Sequence, residues 1–231
     1  MWIDDHILER HDRPLVIDVW VPRETVVVCG SSNDPAVECN LPACLSDGVP
    51  VLKRYGGGGT VVLYPGCVIV SLGMWVTEHF HNDRYFRLLN SAVNSCLHAG
   101  FAFDAILGEA GISDLVAGDM KFGGTSLFRS RNYLLYQASL IIDCDRPMIS
   151  KYLAHPSREP GYRRGRAHGS FLTGLAEIGR GISVASVEAC LLRGLAGHVL
   201  GHFGEQAFGP QPNQFSALQA RIERSRLELR K

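Results

Sequence analysis

The 231-residue sequence has no net charge: 23 basic side chains stand against 23 acidic ones. That balance argues against a broad nucleic-acid or anionic-membrane surface and leaves only local basic patches. No apolar run reaches the roughly 18 residues a spanning helix needs, and no basic-then-apolar signal opens the chain. Seven cysteines (29, 39, 44, 67, 96, 144 and 190) are scattered with no CxxC pair. Reduced thiols in a cytoplasmic protein fit that pattern better than a zinc cage or a disulfide scaffold. There is no internal repeat and no low-complexity segment. Lysine is scarce, occurring only at 53, 121, 151 and 231. What the chain does have is 46% hydrophobic residues, ample for a single core with a small extension.

Met1 to His11 reads as a short helix. Five apolar, β-branched runs follow at 15–21, 25–29, 49–52, 60–63 and 68–72, each bounded by Pro, Gly, Asn or Asp, the punctuation of strands. Over 79–99 the period becomes helical, with Gly100 placed to stop the helix in a left-handed conformation. Strands return at 114–117, 121–128 and 133–142, the last apolar enough to lie centrally. A short helix is expected over 147–153, a basic loop over 155–168 and a long amphipathic helix over 183–203. Gly209-Pro210-Gln211-Pro212 then precedes a terminal helix, 214–231. The domain boundaries expected are 1–208 for the main domain and 209–231 for a helical extension. Many strands with a few packing helices make a mixed α+β domain.

Two glycine segments carry the chemistry. In Arg54-Tyr55-Gly56-Gly57-Gly58-Gly59-Thr60, four glycines stand between two strand-like runs, although each loses more backbone freedom on ordering than any other residue. A hairpin needs one or two; a bare backbone that approaches a ligand can use more. Arg54 adds a planar donor fork beside them. A mobile hairpin tip remains the alternative. GxxxxGK[ST] is absent and no helix pattern follows, which disfavours a P-loop. In the second segment, Lys121-Phe122-Gly123-Gly124-Thr125-Ser126, a strand lysine precedes glycines. That suits an ammonium held near phosphate or carbonyl oxygen, the alternative being an edge-strand lysine that discourages aggregation.

In order and spacing these segments resemble the lipoate–protein ligase A family, within the biotin/lipoate ligase and octanoyltransferase superfamily. The resemblance rests on Arg54 with Gly56–Gly59 and Thr60, then Ser113-Asp114-Leu115-Val116, then Lys121 through Ser126 and the long strand over 134–142. Cys29-Gly30-Ser31-Ser32-Asn33 and Glu38-Cys39-Asn40 add to it, and the similarity covers about residues 2 to 205. It implies a class II synthetase/biotin-ligase-like core with a mostly antiparallel, mixed sheet. It also implies that lipoate or a related medium-chain acid reacts with ATP to give an acyl-adenylate, which a carrier lysine attacks. Carriers of this kind are 2-oxoacid dehydrogenase subunits or proteins of the glycine-cleavage H type. Lys121 would bridge acyl carbonyl and α-phosphate, the two glycine segments would wall the site, and Tyr55 and Val61 would flank the acyl slot. Asp114 would hold magnesium or orient Lys121; no dedicated metal site is expected.

The chain departs from the family pattern at Leu63-Tyr64, where histidine is usual, and at Ile112-Ser113, where Arg-Asn is usual. Ligases of this type usually add a small C-terminal domain. The expectation is therefore a chain that takes preformed acyl-adenylate or needs a separate accessory subunit. Two rivals stand beside the ligase. One is a cysteine-dependent octanoyltransferase with Cys67 as nucleophile. The other is a carrier- or ligand-binding relative without catalysis. His198 and His202, four apart on a helix, read as a polar face rather than metal ligands, since HExxH is absent. Arg163 and Arg166 are candidates for docking an acidic carrier domain or contacting phosphate.

Overall fold

The structure, a computed structural model, describes residues 3–77 and 81–203. The expected helix over 214–231 and the Gly-Pro break before it lie outside these residues. The chain opens with one helical turn, α1 (Asp5–Leu8), shorter than the helix expected from 1–11. Strands β1 (Leu15–Trp20) and β2 (Val26–Cys29) follow, then α2 (Pro35–Glu38) and α3 (Leu41–Ser46). Strands β3 (Val51–Lys53) and β4 (Val61–Leu63) flank the tetraglycine segment. After β5 (Cys67–Trp75) come α4 (Asn82–Gly100), β6 (Leu107–Ala110), β7 (Asp114–Ala117), β8 (Met120–Ser130) and β9 (Tyr133–Ile141). The chain continues through α5 (Arg146–Tyr152), α6 (His168–Phe171), a 3₁₀ turn at Leu175–Glu177 and α7 (Val184–Phe203).

Short helices begin where a side chain satisfies an orphan amide and proline sits in the first turn. The Asp34 carboxylate accepts from the Ala36 amide, Asn40 from that of Ala43 and Asp145 from that of Met148, opening α2, α3 and α5.

Six strands form an antiparallel sheet in the order β1-β5-β9-β8-β7-β6, and three form a smaller one, β3-β2-β4, in which only β2 and β3 run parallel. The expected α+β class with a mostly antiparallel sheet is therefore observed, and β9 lies inside the large sheet as its apolar length required. All nine residues of β5 are buried, so it reads as an apolar run rather than an alternation.

One face of the large sheet packs on α4 and α7. Val68, Val70, Leu72 and Met74 of β5 meet Tyr85, Leu89 and Val93 of α4 and Leu191 and Leu195 of α7. The other face is roofed by the small sheet, α1, α5 and α6, through Val27, Val62, Ile69, Ile149 and Phe171 in one cluster and Ile7, Tyr55, Trp75 and Tyr133 in another.

Two sequence expectations give way. Gly100 is the last residue of α4 and has no left-handed backbone; the cap is Phe101 with φ −142°. Glycine is needed at 100 because a Cβ there would come within 2.4 Å of the Cys190 sulfur on α7. And α7 proves long and apolar enough, by composition, to meet the criterion for a spanning helix. In the fold its Val187, Leu191, Leu195 and Val199 are buried in the sheet–helix core.

Candidate active site

Lys121 owes its direction to an irregularity in β8. The strand pairs Leu115 with Gly123 but Val116 with Lys121, so Phe122 is an extra residue in the ladder, a β-bulge. In a regular strand, residues three apart point to opposite faces. Here the bulge brings Lys121 onto the same face as Gly124: a Cβ added at 124 would lie 3.2 Å from the lysine nitrogen. Phe122, fully buried, instead joins the helix-side core. Asp114 opens β7 opposite Gly124, and its Oδ1 accepts from Lys121 Nζ at 2.7 Å. Tyr162 donates its hydroxyl to the other oxygen, Oδ2, also at 2.7 Å. The Thr125 amide and hydroxyl both donate to the Ser113 carbonyl, at 2.7 and 2.9 Å, and fix the turn that carries Asp114.

The tetraglycine loop is built around a buried cation. Arg54 is 6% exposed, and its guanidinium donates to the carbonyls of Gly57 (2.8 Å), Gly59 (2.7 Å) and Val28 (3.3 Å). Burial brings its pKa down to about 10, so it stays charged at neutral pH. The donor fork read from the sequence as ligand-facing thus holds the loop's own carbonyls, although Arg54 still borders the cleft. Gly56 is required by proximity: a Cβ there would meet Ser126 Oγ at 2.8 Å. Gly58 has φ +95°, and its carbonyl lies 2.2 Å from where a Cβ of Gly30 would be. Added Cβ atoms at Gly57 and Gly59 would meet nothing within 4 Å. Beneath the loop the carboxylate of Asp4 accepts from the Tyr55 amide at 3.1 Å and from the Gln137 side-chain amide. Burial raises the Asp4 pKa to about 7. Thr60 accepts from Asn33 at 3.2 Å.

Between the two sheets runs a cleft with two lobes. Both are bordered by Thr60, Val61, Lys121, Gly124 and Ser139, so the lysine stands at their junction. The first lobe is walled by Val28, Leu63 and Ile69 and floored by Asp114, Ser126 and Gln137. The second is walled by Ile141, Ile149, Leu153 and Phe171, with Arg163 and His168 on its rim. Of the residues singled out from sequence, Arg54, Gly59, Thr60, Asp114, Lys121, Gly124, Thr125 and Ser126 line the first lobe. Gly56, Gly57 and Gly58 shape the loop above it. Gly123 lies on the opposite face, where a Cβ would press on Leu140 and the Ser139 carbonyl.

With this geometry, residues 1–196 match the family described as the lipoyl protein ligase A/B catalytic domain. The chain belongs to that family. It is 28% identical over 140 residues to a probable lipoate-protein ligase A of Mycoplasma genitalium, covering 60% of this chain and 40% of that one. It is 22% identical over 153 residues to lipoate–protein ligase 1 of Plasmodium falciparum, covering 66% and 35%. The chain thus spans well under half the length of these relatives.

Its fold matches that of a bipartite lipoate protein ligase from Thermoplasma acidophilum, described together with its E2 lipoyl domain, with TM-score 0.71 and 18% identity over 94% of this chain and 84% of that one. It likewise matches a lipoate-protein ligase A bound with ATP, with TM-score 0.70 and 20% identity over 94% and 85%.

Within this family frame, several sequence readings are corrected. Tyr55 does not wall the acyl slot: it is buried against Phe128, with ring centroids 5.7 Å apart. Val61 does border both lobes. Arg163 is no docking residue, because it is 5% exposed, packs 4.6 Å over the Phe171 ring and donates its Nε to the Arg166 carbonyl. Arg166 is tied to Asp119 through side chain and carbonyl, both at 2.9 Å.

Cys67 borders the second lobe, but burial pushes its thiol up to about 12, the wrong direction for a nucleophile. Leu63, standing where histidine is usual, faces the first lobe, while Tyr64 ties to the Asp143 carbonyl at 2.7 Å. Of the two roles read for Asp114, magnesium ligand or partner of Lys121, the structure shows the contact to Lys121. Both oxygens of Asp114 are engaged by Lys121 and Tyr162, and no cluster of three His, Cys, Asp or Glu occurs among the described residues. Sequence reasoning missed Tyr162, Gln137, Ser139 and His168; only Tyr162 and His168 fell in the stretch read as a basic loop, 155–168.

Proposed function

We propose that this chain transfers a lipoyl or related medium-chain acyl group from an acyl-adenylate to the ε-amine of a lysine on a carrier domain. The observation that carries this reading is the Lys121 ammonium at the junction of two lobes, within 2.7 Å of Asp114 and with glycine beside it. In such a transfer the carrier nitrogen attacks the acyl carbonyl carbon. An amide C–N bond forms, the C–O bond to phosphate breaks and AMP departs. Negative charge grows on the carbonyl oxygen and stays on the phosphate. A fixed cation between them stabilises both, without a protein nucleophile.

The first lobe, narrow and walled by Val28, Val61, Leu63 and Ile69, suits the acyl chain. The second, carrying Arg163 and Lys121, suits the nucleotide, and Arg163 keeps a buried Nη2 with no hydrogen-bond partner. A lipoyl domain as acceptor is supported by the T. acidophilum relative described with one. ATP as a substrate is supported by the ATP-bound relative.

The test is mass spectrometry of an apo lipoyl domain incubated with the chain and synthetic lipoyl-adenylate, and separately with lipoate, ATP and magnesium. A lipoyl mass increment on the carrier lysine, lost in Lys121→Ala, supports the reading. No increment from the adenylate overturns it.

A further inference from the structure

His168 opens α6 at the rim of the second lobe, and nothing above gives it work. Its backbone position is fixed relative to Lys121. The His168 carbonyl accepts from the Leu172 amide at 3.0 Å, Leu172 bridges to Lys121, and the Thr173 amide donates to the Lys121 carbonyl at 2.9 Å. The His168 ring makes no hydrogen bond among the described residues and lines the second lobe.

Attack on the acyl carbonyl needs an unprotonated amine. A lysine of ordinary pKa, about 10.4, is unprotonated in only on the order of one molecule in a thousand at neutral pH. The carrier ammonium must therefore shed one proton before attack and a second as the amide bond forms. Lys121 and Arg163, the cations at the cleft, have no lone pair to receive a proton. Asp114 already accepts from Lys121 and Tyr162.

We propose that His168 is the general base that takes the first proton, from the carrier lysine's ammonium. The inference rests on the acyl-transfer reading above and assigns one step within it: an ammonium N–H bond breaks, its proton moves to an imidazole nitrogen, and the freed lone pair attacks the acyl carbon; the second proton leaves to the departing AMP phosphate or to solvent as the amide forms.

The electrostatics make this base conditional on substrate. Burial first, then Arg163, His155 and Lys121, hold His168 at about 4, neutral but weakly basic. Glu159 faces the same group, with its carboxylate 3.0 Å from His155 and 3.5 Å from Arg163. An adenylate phosphate lying between Lys121 and Arg163 offsets two of the three cationic neighbours. His168 then moves up from about 4 as those charge contributions fall, while burial still holds it below its ordinary value.

The experiment is single-turnover transfer from synthetic lipoyl-adenylate by wild type, His168→Ala and His168→Gln, with two acceptors. One is the apo lipoyl domain; the other is hydroxylamine, an amine already uncharged at neutral pH. The expected result is a fall of about 10²- to 10³-fold for the carrier lysine in both variants, with hydroxamate formation keeping most of its rate. Added imidazole should restore part of the lysine transfer in His168→Ala. An equal loss with both acceptors, or no loss with lysine, overturns the role. Failure of wild type with both acceptors overturns the transfer reading itself, and the two failures are distinct.

Discussion

The two faces of the large sheet are made from the same strands and do opposite jobs. Toward α4 and α7, alternate residues of β5 and β9 are bulky and apolar: Val70, Leu72 and Met74 beside Leu134, Tyr136 and Leu140. Toward the small sheet the intervening positions that border the cleft include Gln137 and Ser139, with Gly124 and Ser126 on β8. Small and polar side chains there keep the second layer from closing down. A cleft is what remains when half of a two-period pattern is left unfilled. One face is built for cohesion and the other for room.

Leu72→Ala, on the cohesive face, should have the largest effect on the fold. It leaves a cavity under the helices and should cost about 2–5 kcal/mol in urea unfolding. Folded protein should still bind lipoyl-adenylate with unchanged affinity. Lys121→Ala reverses the pattern: acyl transfer should fall by about 10²- to 10³-fold in single turnover, with the thermal midpoint little changed, because Asp114 keeps Tyr162. If both variants lost stability alike, the division between faces would be wrong.

Gly56→Ala probes the seam. Its new Cβ would sit 2.8 Å from Ser126 Oγ and 3.0 Å from Ser126 Cβ, a strain of about 1–3 kcal/mol, and adding Ser126→Gly should relieve most of it in a double-mutant cycle. A further effect is a slope. Unfolded Asp4 ionises near 3.8, whereas the buried folded group keeps its proton up to about 7. Stability should therefore fall as pH rises between those values, by at most about 1.4 kcal/mol per unit, and level off above them. Asp4→Asn should flatten that stretch of the pH–stability curve.

Much of the fold was legible in sequence because each strand states its own boundaries. The strand at 114–117 was read to the residue, and β8 and β9 within two or three. Short elements held by single caps, such as α2 and α3, carry too little periodicity to stand out. The edge strand β6 mixes Gly108 and Glu109 with Leu107 and was missed for the same reason.

At the site, rarity did the work: four successive glycines and one of only four lysines, set before two more glycines, are visible without coordinates. What sequence could not supply was direction. Arg54 beside glycines looks like a ligand clamp, and only the loop's fold turns its fork inward onto Gly57 and Gly59. Tyr162 lies 48 residues from the carboxylate it holds. His168 reaches the cleft only because the segment after α6 pairs with the Lys121 backbone.

The extra residue in β8 makes this site sensitive to arithmetic. Inserting one amino acid between Lys121 and Phe122 would rotate the ammonium by half a turn, into the hydrocarbon under α4 beside Leu115 and Leu140. Substitutions along the same stretch leave that phase alone. Along β8 the protein can exchange its letters far more freely than it can change their count.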